Sequence, residues 1–181
     1  RYHPGTVVTT FAMTLEVRKI QFADARSYRE CLDSVARERR FLAQVEALPI
    51  EQIEQFVAES VATDAAQYVA VENGMVIGWC DVFSHWAYAI AHVGSLGMGV
   101  RAEYRGRGIG ERLLRATLAH AEQKGIFRVT LEARADNRAA IRLYEKVGFR
   151  IEARTPCALR FDDTFYEGVQ MALLQGPASA A

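Results

Sequence analysis

The hydrophobic and polar residues of this chain recur with two different periods, which predict strands and helices in alternation. Apolar runs and period-two patterns predict strands, and apolar residues at helical spacing predict helices. The predicted strands are 15–20, 68–71, 75–79, 91–100, 127–133, 150–161 and 165–174. The predicted helices are 24–40, 50–62, 109–123 and 137–147.

Local turn and cap residues support several of these boundaries. Asn73-Gly74 lies between two strand-like runs and predicts a type I′ hairpin turn, because both residue types tolerate positive φ. Asp24 is a candidate N-cap of the first helix. Gly125 and Gly148 each follow a predicted helix at the position where a left-handed residue ends it.

The organisation predicted is one α/β (α+β) domain over residues 13–175. Residues 1–12 show no clear periodicity and are predicted to be a disordered extension or an expression remnant. Residues 176–181 are small and are predicted to form a frayed tail. We find no repeat, linker or low-complexity segment that would indicate a second domain.

The composition narrows the class of protein. The 181 residues include 22 Lys+Arg and 22 Asp+Glu, so the net charge is zero and gives no electrostatic reason to expect a nucleic-acid or membrane partner. The three cysteines are widely spaced and fit neither a disulfide framework nor a zinc site. We therefore expect a protein of the reducing cytoplasm that holds no metal.

A basic, glycine-rich turn follows the fourth predicted strand and leads into the third predicted helix. It reads Arg105-Gly106-Arg107-Gly108-Ile109-Gly110. Free N–H groups at a helix N-terminus bind phosphate, and glycine removes the Cβ atom that would keep a ligand off the backbone. The turn is a candidate phosphate-binding loop. A flexible connection with solvated arginines is the alternative.

Two common phosphate motifs do not fit this turn. It lacks the Gly-Lys-Ser/Thr ending of a nucleotide-hydrolysing P-loop. It also fails Gly-x-Gly-x-x-Gly, and about twenty residues further on lies Gly125-Ile126-Phe127 rather than an acidic residue. What remains is Arg-x-x-Gly-x-Gly, formed by Arg105, Gly108 and Gly110.

This pattern resembles the acetyl-CoA pyrophosphate loop of the GNAT superfamily of N-acetyltransferases. A second segment, residues 131–149, is similar to the strand, Asn-capped helix and Gly-Phe terminus of that family. The two segments stand in the family's order with a full helix between them, so the pair is more specific than either motif alone. The close resemblance covers residues 94–149.

The resemblance implies a mixed, mostly antiparallel sheet of about seven strands flanked by about four helices. It also implies that the sheet splays between its fourth and fifth strands at a bulge, where acetyl-CoA binds. The cosubstrate would lie along Met98-Gly99-Val100, with Gly97 and Gly99 permitting close approach, and place its pyrophosphate on Arg105-Gly106-Arg107-Gly108-Ile109-Gly110.

Three side chains are candidates for further roles in the site. The resemblance assigns Asn137 to the pantetheine arm, although the residue also fits a helix N-cap. It assigns the hydroxyl of Tyr144 to protonation of the leaving thiolate, although an aromatic residue there also fits the core. Glu132 is the candidate base, as in family members that acetylate ribosomal-protein N-termini. Pairing of Glu132 with Arg128 or Arg134, and a water chain acting as base, are the alternatives.

The acetyl acceptor implied by the resemblance is a primary amine. The segment Ala158-Leu159-Arg160 with Tyr166 resembles members that acetylate free amino acids or small amines, whereas Glu132 and Tyr144 favour a protein N-terminus. A non-catalytic acetyl-CoA-binding module is the hypothesis of another class. His85 and His92 are weaker candidates for a base. A homodimer through the closing strands is left open.

Overall fold

The computed structural model describes residues 14–180. The elements in chain order are β1 (Leu15–Lys19), α1 (Ala25–Ala36), α2 (Ile50–Ala62), β2 (Ala66–Glu72), β3 (Met75–Ser84), β4 (Val93–Val100), α3 (Ile109–Gln123), β5 (Arg128–Arg134), α4 (Arg138–Val147), β6 (Arg150–Phe161) and β7 (Thr164–Leu174). The predicted N-terminal extension, residues 1–12, lies outside the described residues. A 3₁₀ helix, Gly176–Ala180, stands where the sequence predicts a frayed tail.

The seven strands form one sheet in the order β1-β2-β3-β4-β5-β7-β6. Every neighbouring pair is antiparallel except β4 and β5, which are parallel. This confirms the predicted mixed, mostly antiparallel sheet. A long connection containing α3 joins β4 to β5, as a parallel pair requires.

The sheet splays between β4 and β5. These strands pair at only three positions, Val93–Ser95 with Arg128–Thr130, whereas β5 pairs with β7 along its whole length. The implied bulge in β4 is not found in its pairing with β3, since that register is regular from Gly94 to Val100. Beyond these three positions β5 stays paired with β7 but no longer with β4.

The first helix begins directly after Asp24, as predicted, but differs from its prediction in its C-terminal end and in its cap. It ends at Ala36 rather than near Arg40, and Arg39 then adopts a left-handed φ of 50°. The carboxylate of Asp24 does not cap it. That carboxylate instead accepts a hydrogen bond from the Gln21 N–H at 2.8 Å and pairs with Arg18 at 2.7 Å, and these partners hold it away from the first N–H groups of α1.

An apolar core lies on each face of the sheet, because side chains alternate along the strands. On one face α3 and α4 pack over Ile77, Cys80 and Leu131. On the other face α1 and α2 pack over Val69 and Trp79. No helix within residues 14–180 is long and apolar enough to cross a membrane.

Candidate active site

A cavity of about 650 Å³ opens where β4 and β5 separate, a size in the usual range for small-molecule sites. Residues from both faces of the sheet line it, and the lining includes the segment Phe41-Leu42-Ala43 after α1. The cavity brings together eleven of the twelve predicted site residues: Met98, Gly99, Val100, Arg105, Gly106, Gly108, Ile109, Gly110, Glu132, Asn137 and Tyr144.

The remaining predicted residue, Arg107, lies outside the cavity lining. Its guanidinium donates a hydrogen bond to Glu72 Oε1 at 2.6 Å and lies 5.4 Å from the centre of the Tyr104 ring. Glu72 is only 2% exposed, and a buried carboxylate needs a cation close by. The side chain of Arg107 therefore attaches the turn to β2. Its partner Glu72 is far away in sequence.

Arg105 lines the cavity but also makes strong contacts within the protein. Its Nε donates to the Val100 carbonyl at 2.8 Å, and its other nitrogens donate to the Glu38 carboxylate at 2.9 and 2.5 Å. The guanidinium lies 4.9 Å from the centre of the Phe41 ring. Arg105 thus links the glycine-rich turn to the segment that follows α1.

The glycine-rich turn has the geometry of an anion-binding loop. Gly106 and Gly108 have φ values of 76° and 75°, and a Cβ atom on either would meet nothing within 4 Å. Both glycines line the cavity, so that open space is part of the site. Gly108 is the N-cap of α3 and no described side chain caps the helix, which leaves first-turn N–H groups and the positive end of the dipole facing the cavity.

The other glycines of the site serve packing. A Cβ atom on Gly110 would approach Leu143 to 3.2 Å, so this glycine allows α3 and α4 to meet closely. Side chains on Gly97 and Gly99 would collide with Asp81 and Trp79 on the α1 and α2 face. Packing against Asp81 and Trp79 is thus a further reason for the small size of Gly97 and Gly99, and close approach of the cosubstrate stays a prediction.

We expect Gly108→Phe to abolish most of the acetyl-CoA affinity, because the new ring would occupy the cavity above the helix N-terminus. The matched control is Gly125→Phe, since Gly125 has a φ of 79°, equally open surroundings and a place after α3 away from the cavity. Both variants carry the same backbone strain. Calorimetry that found equal acetyl-CoA affinity in the two variants would contradict the assignment of the turn.

Asn137 and Tyr144 both hold a structural position while facing the cavity. Asn137 Oδ1 accepts the Ala140 N–H at 3.3 Å as the N-cap of α4. Tyr144 is 8% exposed, and its ring lies 5.8 Å from that of Phe149. Burial, with a smaller contribution from Cys80, raises the pKa of the Tyr144 hydroxyl, so the hydroxyl is protonated at neutral pH.

Glu132 is an exposed carboxylate on the opposite face of β5 from Leu131. Neither arginine proposed as its partner binds it: Arg128 pairs with Glu152 and Arg134 pairs with Asp136. The structure thus contradicts that alternative. The carboxylate lies over Gly168 of β7, where a Cβ atom would collide with it.

The remaining polar candidates divide between the cavity and the surface. Arg142 and Lys146 of α4 line the cavity, and Lys146 Nζ donates to Glu111 at 2.6 Å. His85 and His92 are exposed and lie outside the lining. Across residues 14–180 no group of three or more His, Cys, Asp or Glu side chains is arranged to hold a metal ion.

One buried carboxylate next to the cavity residue Gly97, but outside the cavity lining, is absent from the sequence-based candidates. Asp81 lies in the middle of β3, is 9% exposed and faces Gly97 across the β3–β4 ladder. Burial raises its pKa to about 7, against a weaker opposing effect of the Gly97 N–H. The available signal was a charged residue inside an otherwise apolar strand.

The comparison with known families agrees with this geometry. The profile of the Acetyltransferase (GNAT) family matches residues 28–149, which include β2 to β5, the glycine-rich turn and α4. The chain belongs to this family.

Individual relatives differ in their named acceptors. A mycothiol acetyltransferase from Thermobispora bispora is 33% identical over 103 residues, which are 55% of this chain and 35% of that protein. A Bacillus subtilis protein named as a ribosomal protein bS18-alanine N-acetyltransferase is 28% identical over 98 residues, 54% of this chain and 62% of that protein. The chain thus matches less than two thirds of either relative.

The fold is also that of solved family members. A GNAT acetyltransferase from Streptococcus pneumoniae superposes with a TM-score of 0.84 at 26% identity. That superposition covers 90% of this chain and 100% of the other.

Proposed function

We propose that this protein transfers the acetyl group of acetyl-CoA to the primary amine of a small molecule or an amino acid. The observation that supports this best is a single cavity that contains the glycine-rich turn, Tyr144 and Glu132. The turn and Tyr144 lie on the α3 and α4 face of the sheet, and Glu132 lies on the other face. The splay gives a passage between the two.

The residues present fit acetyl-CoA. The N–H groups after Gly108 would bind the pyrophosphate, and Arg105, Arg142 and Lys146 would supply positive charge around it. Main-chain groups of Met98-Gly99-Val100 that β5 does not pair would bind the pantetheine arm and polarise the thioester carbonyl. Asn137 has an amide nitrogen available for the same arm while its oxygen caps α4.

The chemistry requires one proton donor and one proton acceptor. The buried hydroxyl of Tyr144 would protonate the thiolate as it leaves. Glu132, which forms no ion pair with Arg128 or Arg134, would receive the proton of the amine directly or through water. The three cysteines are free thiols, one of them exposed, which fits a reaction in the reducing cytoplasm.

A protein N-terminus is the second candidate acceptor. The Bacillus subtilis relative supports it, because the match covers a larger share of that protein than of the mycothiol acetyltransferase. The segment Ala158-Leu159-Arg160 with Tyr166, which resembles members that acetylate small amines, supports the first candidate. A thiol-release assay with panels of amines, amino acids and N-terminal peptides decides between them, and no release with any panel would favour a binding module.

Acetyl-CoA and CoA are expected to stabilise the protein against heat, whereas ATP and NAD have little effect. A ligand that binds only the folded state adds RT ln(1 + [L]/Kd), or about 2.7 kcal/mol at a hundredfold excess over Kd. A thermal-shift scan at equal ligand concentrations measures this. A larger shift with ATP or NAD would overturn the choice of cosubstrate.

A further inference from the structure

We propose that Glu38 positions one wall of the acceptor site, an inference that rests on the proposed acetyltransferase function. Glu38 lies in the irregular segment between α1 and α2. We call residues 38–43 the strap. Glu38 is a positioning residue, because it acts through Arg105 on the strap residues Phe41-Leu42-Ala43 that line the cavity.

The splay opens toward the C-terminal ends of β4 and β5, since the two strands pair only at the first three residues of each. The glycine-rich turn follows β4 and therefore lies at this open end. Strand β7 runs antiparallel to β5, with Gly168 opposite Arg134 at the end of β5. The β6–β7 turn at Asp162 precedes β7, so it also lies at the open end.

The strap is attached on both sides of this opening. On the β4 side, the Glu38 carboxylate accepts two hydrogen bonds from the Arg105 guanidinium, at 2.9 and 2.5 Å. On the side of β5 and β7, the next residue, Arg39, donates to Asp162 Oδ1 at 2.7 Å. Two consecutive residues thus connect the two halves of the sheet at the end where β4 and β5 do not pair.

The two attachments differ in strength. The side chains of Arg105 and Glu38 are 35% and 26% exposed, and they meet in the two-bonded geometry that makes charge-assisted hydrogen bonds strong. The side chains of Arg39 and Asp162 are 48% and 79% exposed, and such surface pairs contribute little. Glu38 is therefore the main attachment of the strap.

This attachment extends to the wall of the cavity through Phe41. The Arg105 guanidinium that Glu38 binds lies 4.9 Å from the centre of the Phe41 ring, and the Arg40 guanidinium lies 5.3 Å from the same centre. Cations at this distance from a ring attract it. Glu38 thus holds the cation that holds Phe41 in the cavity lining.

The strap lies on the acceptor side of the cavity. Tyr144 belongs to the α3 and α4 face of the sheet. Val35, in the last turn of α1 just before the strap, belongs to the opposite face, as does Glu132, and both line the cavity. An amine whose nitrogen reaches Glu132 would place its carbon skeleton against the apolar side chains of Phe41 and Leu42.

Arg105 can hold Glu38 and the pyrophosphate of acetyl-CoA at the same time. A guanidinium has five N–H donors, and the contacts with Val100 and Glu38 use three of them. Loss of the Glu38 carboxylate should therefore change the binding of the acceptor and leave the affinity for acetyl-CoA as it is.

The test compares Glu38→Ala with Glu46→Ala, using the best amine from the acceptor panel at saturating acetyl-CoA. Glu38→Ala should raise the KM for the amine about tenfold, near the lower end for loss of a hydrogen bond to a charged group. It should leave kcat within about twofold, whereas a residue needed for the chemistry would lower kcat. Glu46 belongs to the same inter-helix segment but lies outside the lining and pairs with Arg37 at 3.6 Å, so Glu46→Ala should match the wild type. Glu38→Asp keeps the charge and should recover part of the loss.

Hydrogen exchange of the protein without ligands tests the attachment independently of activity. The amides of the strap should exchange faster in Glu38→Ala than in Glu46→Ala. Unchanged exchange or an unchanged KM for the amine would overturn the positioning role. Tighter binding of acetyl-CoA by calorimetry would also overturn it, since Glu38 would then compete with the pyrophosphate for Arg105. A wild type that binds acetyl-CoA but releases no thiol with any amine would instead refute the proposed function, whereas the exchange result concerns the strap alone.

Discussion

Tyr144→Phe is expected to lower kcat by about 10²–10⁴-fold, the usual contribution of a general acid. The change removes one hydroxyl and keeps the ring, which packs against Phe149 beside the cavity. Acetyl-CoA affinity and thermal stability should therefore change little. Steady-state and single-turnover kinetics with the best acceptor measure the effect, provided that chemistry is shown to limit the rate.

Tyr68→Phe is the matched control for this variant. Tyr68 is a partly buried tyrosine of β2 whose ring packs edge-on against His120, 5.9 Å away and outside the cavity lining. It should keep wild-type kcat. Near-wild-type kcat in Tyr144→Phe would show that Tyr144 only packs in the core. This is the alternative given in the sequence analysis.

Asp81→Asn is expected to stabilise the folded protein at pH 8, by roughly 4 kcal/mol. Burial raises the folded-state pKa of Asp81 to about 7, whereas an unfolded aspartate titrates near 3.9. The folded state thus binds the proton more tightly, and wild-type stability decreases as pH rises from about 4 to 7. The amide in Asp81→Asn carries no charge, so the stability of the variant does not decrease with pH for this reason.

Urea denaturation of both proteins at pH 5 and pH 8 measures the difference. The advantage of Asp81→Asn should be much smaller at pH 5, where most of the folded wild type is protonated at this site. Asp163→Asn should show no such dependence, because its side chain is fully exposed. An advantage of equal size at the two pH values would mean that Asp81 has an ordinary pKa in the folded protein.

Turns and helices whose bounds depend on residues within the same segment were predictable from the sequence. Asn73 and Gly74 have φ values of 52° and 76°, as the type I′ turn requires. Helices α2 and α3 have the predicted bounds, since apolar spacing and, for α3, flanking glycines define them within one segment. The mixed, mostly antiparallel sheet and its splay came from the family resemblance, because no local pattern specifies which strands pair.

Features set by distant partners were not predictable. Arg107 binds Glu72, which lies 35 residues earlier, rather than facing the cavity. Asp24 is taken by Arg18 and the Gln21 N–H, so α1 lacks its predicted side-chain cap. The place of Asp81 depends on which residue of β4 stands opposite it. In each case the competing contact is visible only once the strands and loops are assembled.

Within the candidate site, the sequence predicted which positions need glycine but not the physical reason at each position. Gly108 is open to the cavity, as the phosphate-loop argument requires. Gly110 and Gly99 are equally needed, but for Leu143 and Trp79. A short motif therefore combines positions that serve a ligand with positions that serve packing, and only the surroundings of each Cβ position separate them.

The incomplete pairing of β4 with β5 gives this protein sheet edges in its interior. Beyond Ser95 and Thr130 the facing main-chain groups of the two strands have no strand partner. An exposed sheet edge invites pairing with strands of other chains and leads to aggregation. Here residues of the glycine-rich turn, α3 and α4 line the cavity beside these edges. In the proposed function, the main-chain groups that would promote aggregation on a surface would instead bind the amide groups of acetyl-CoA.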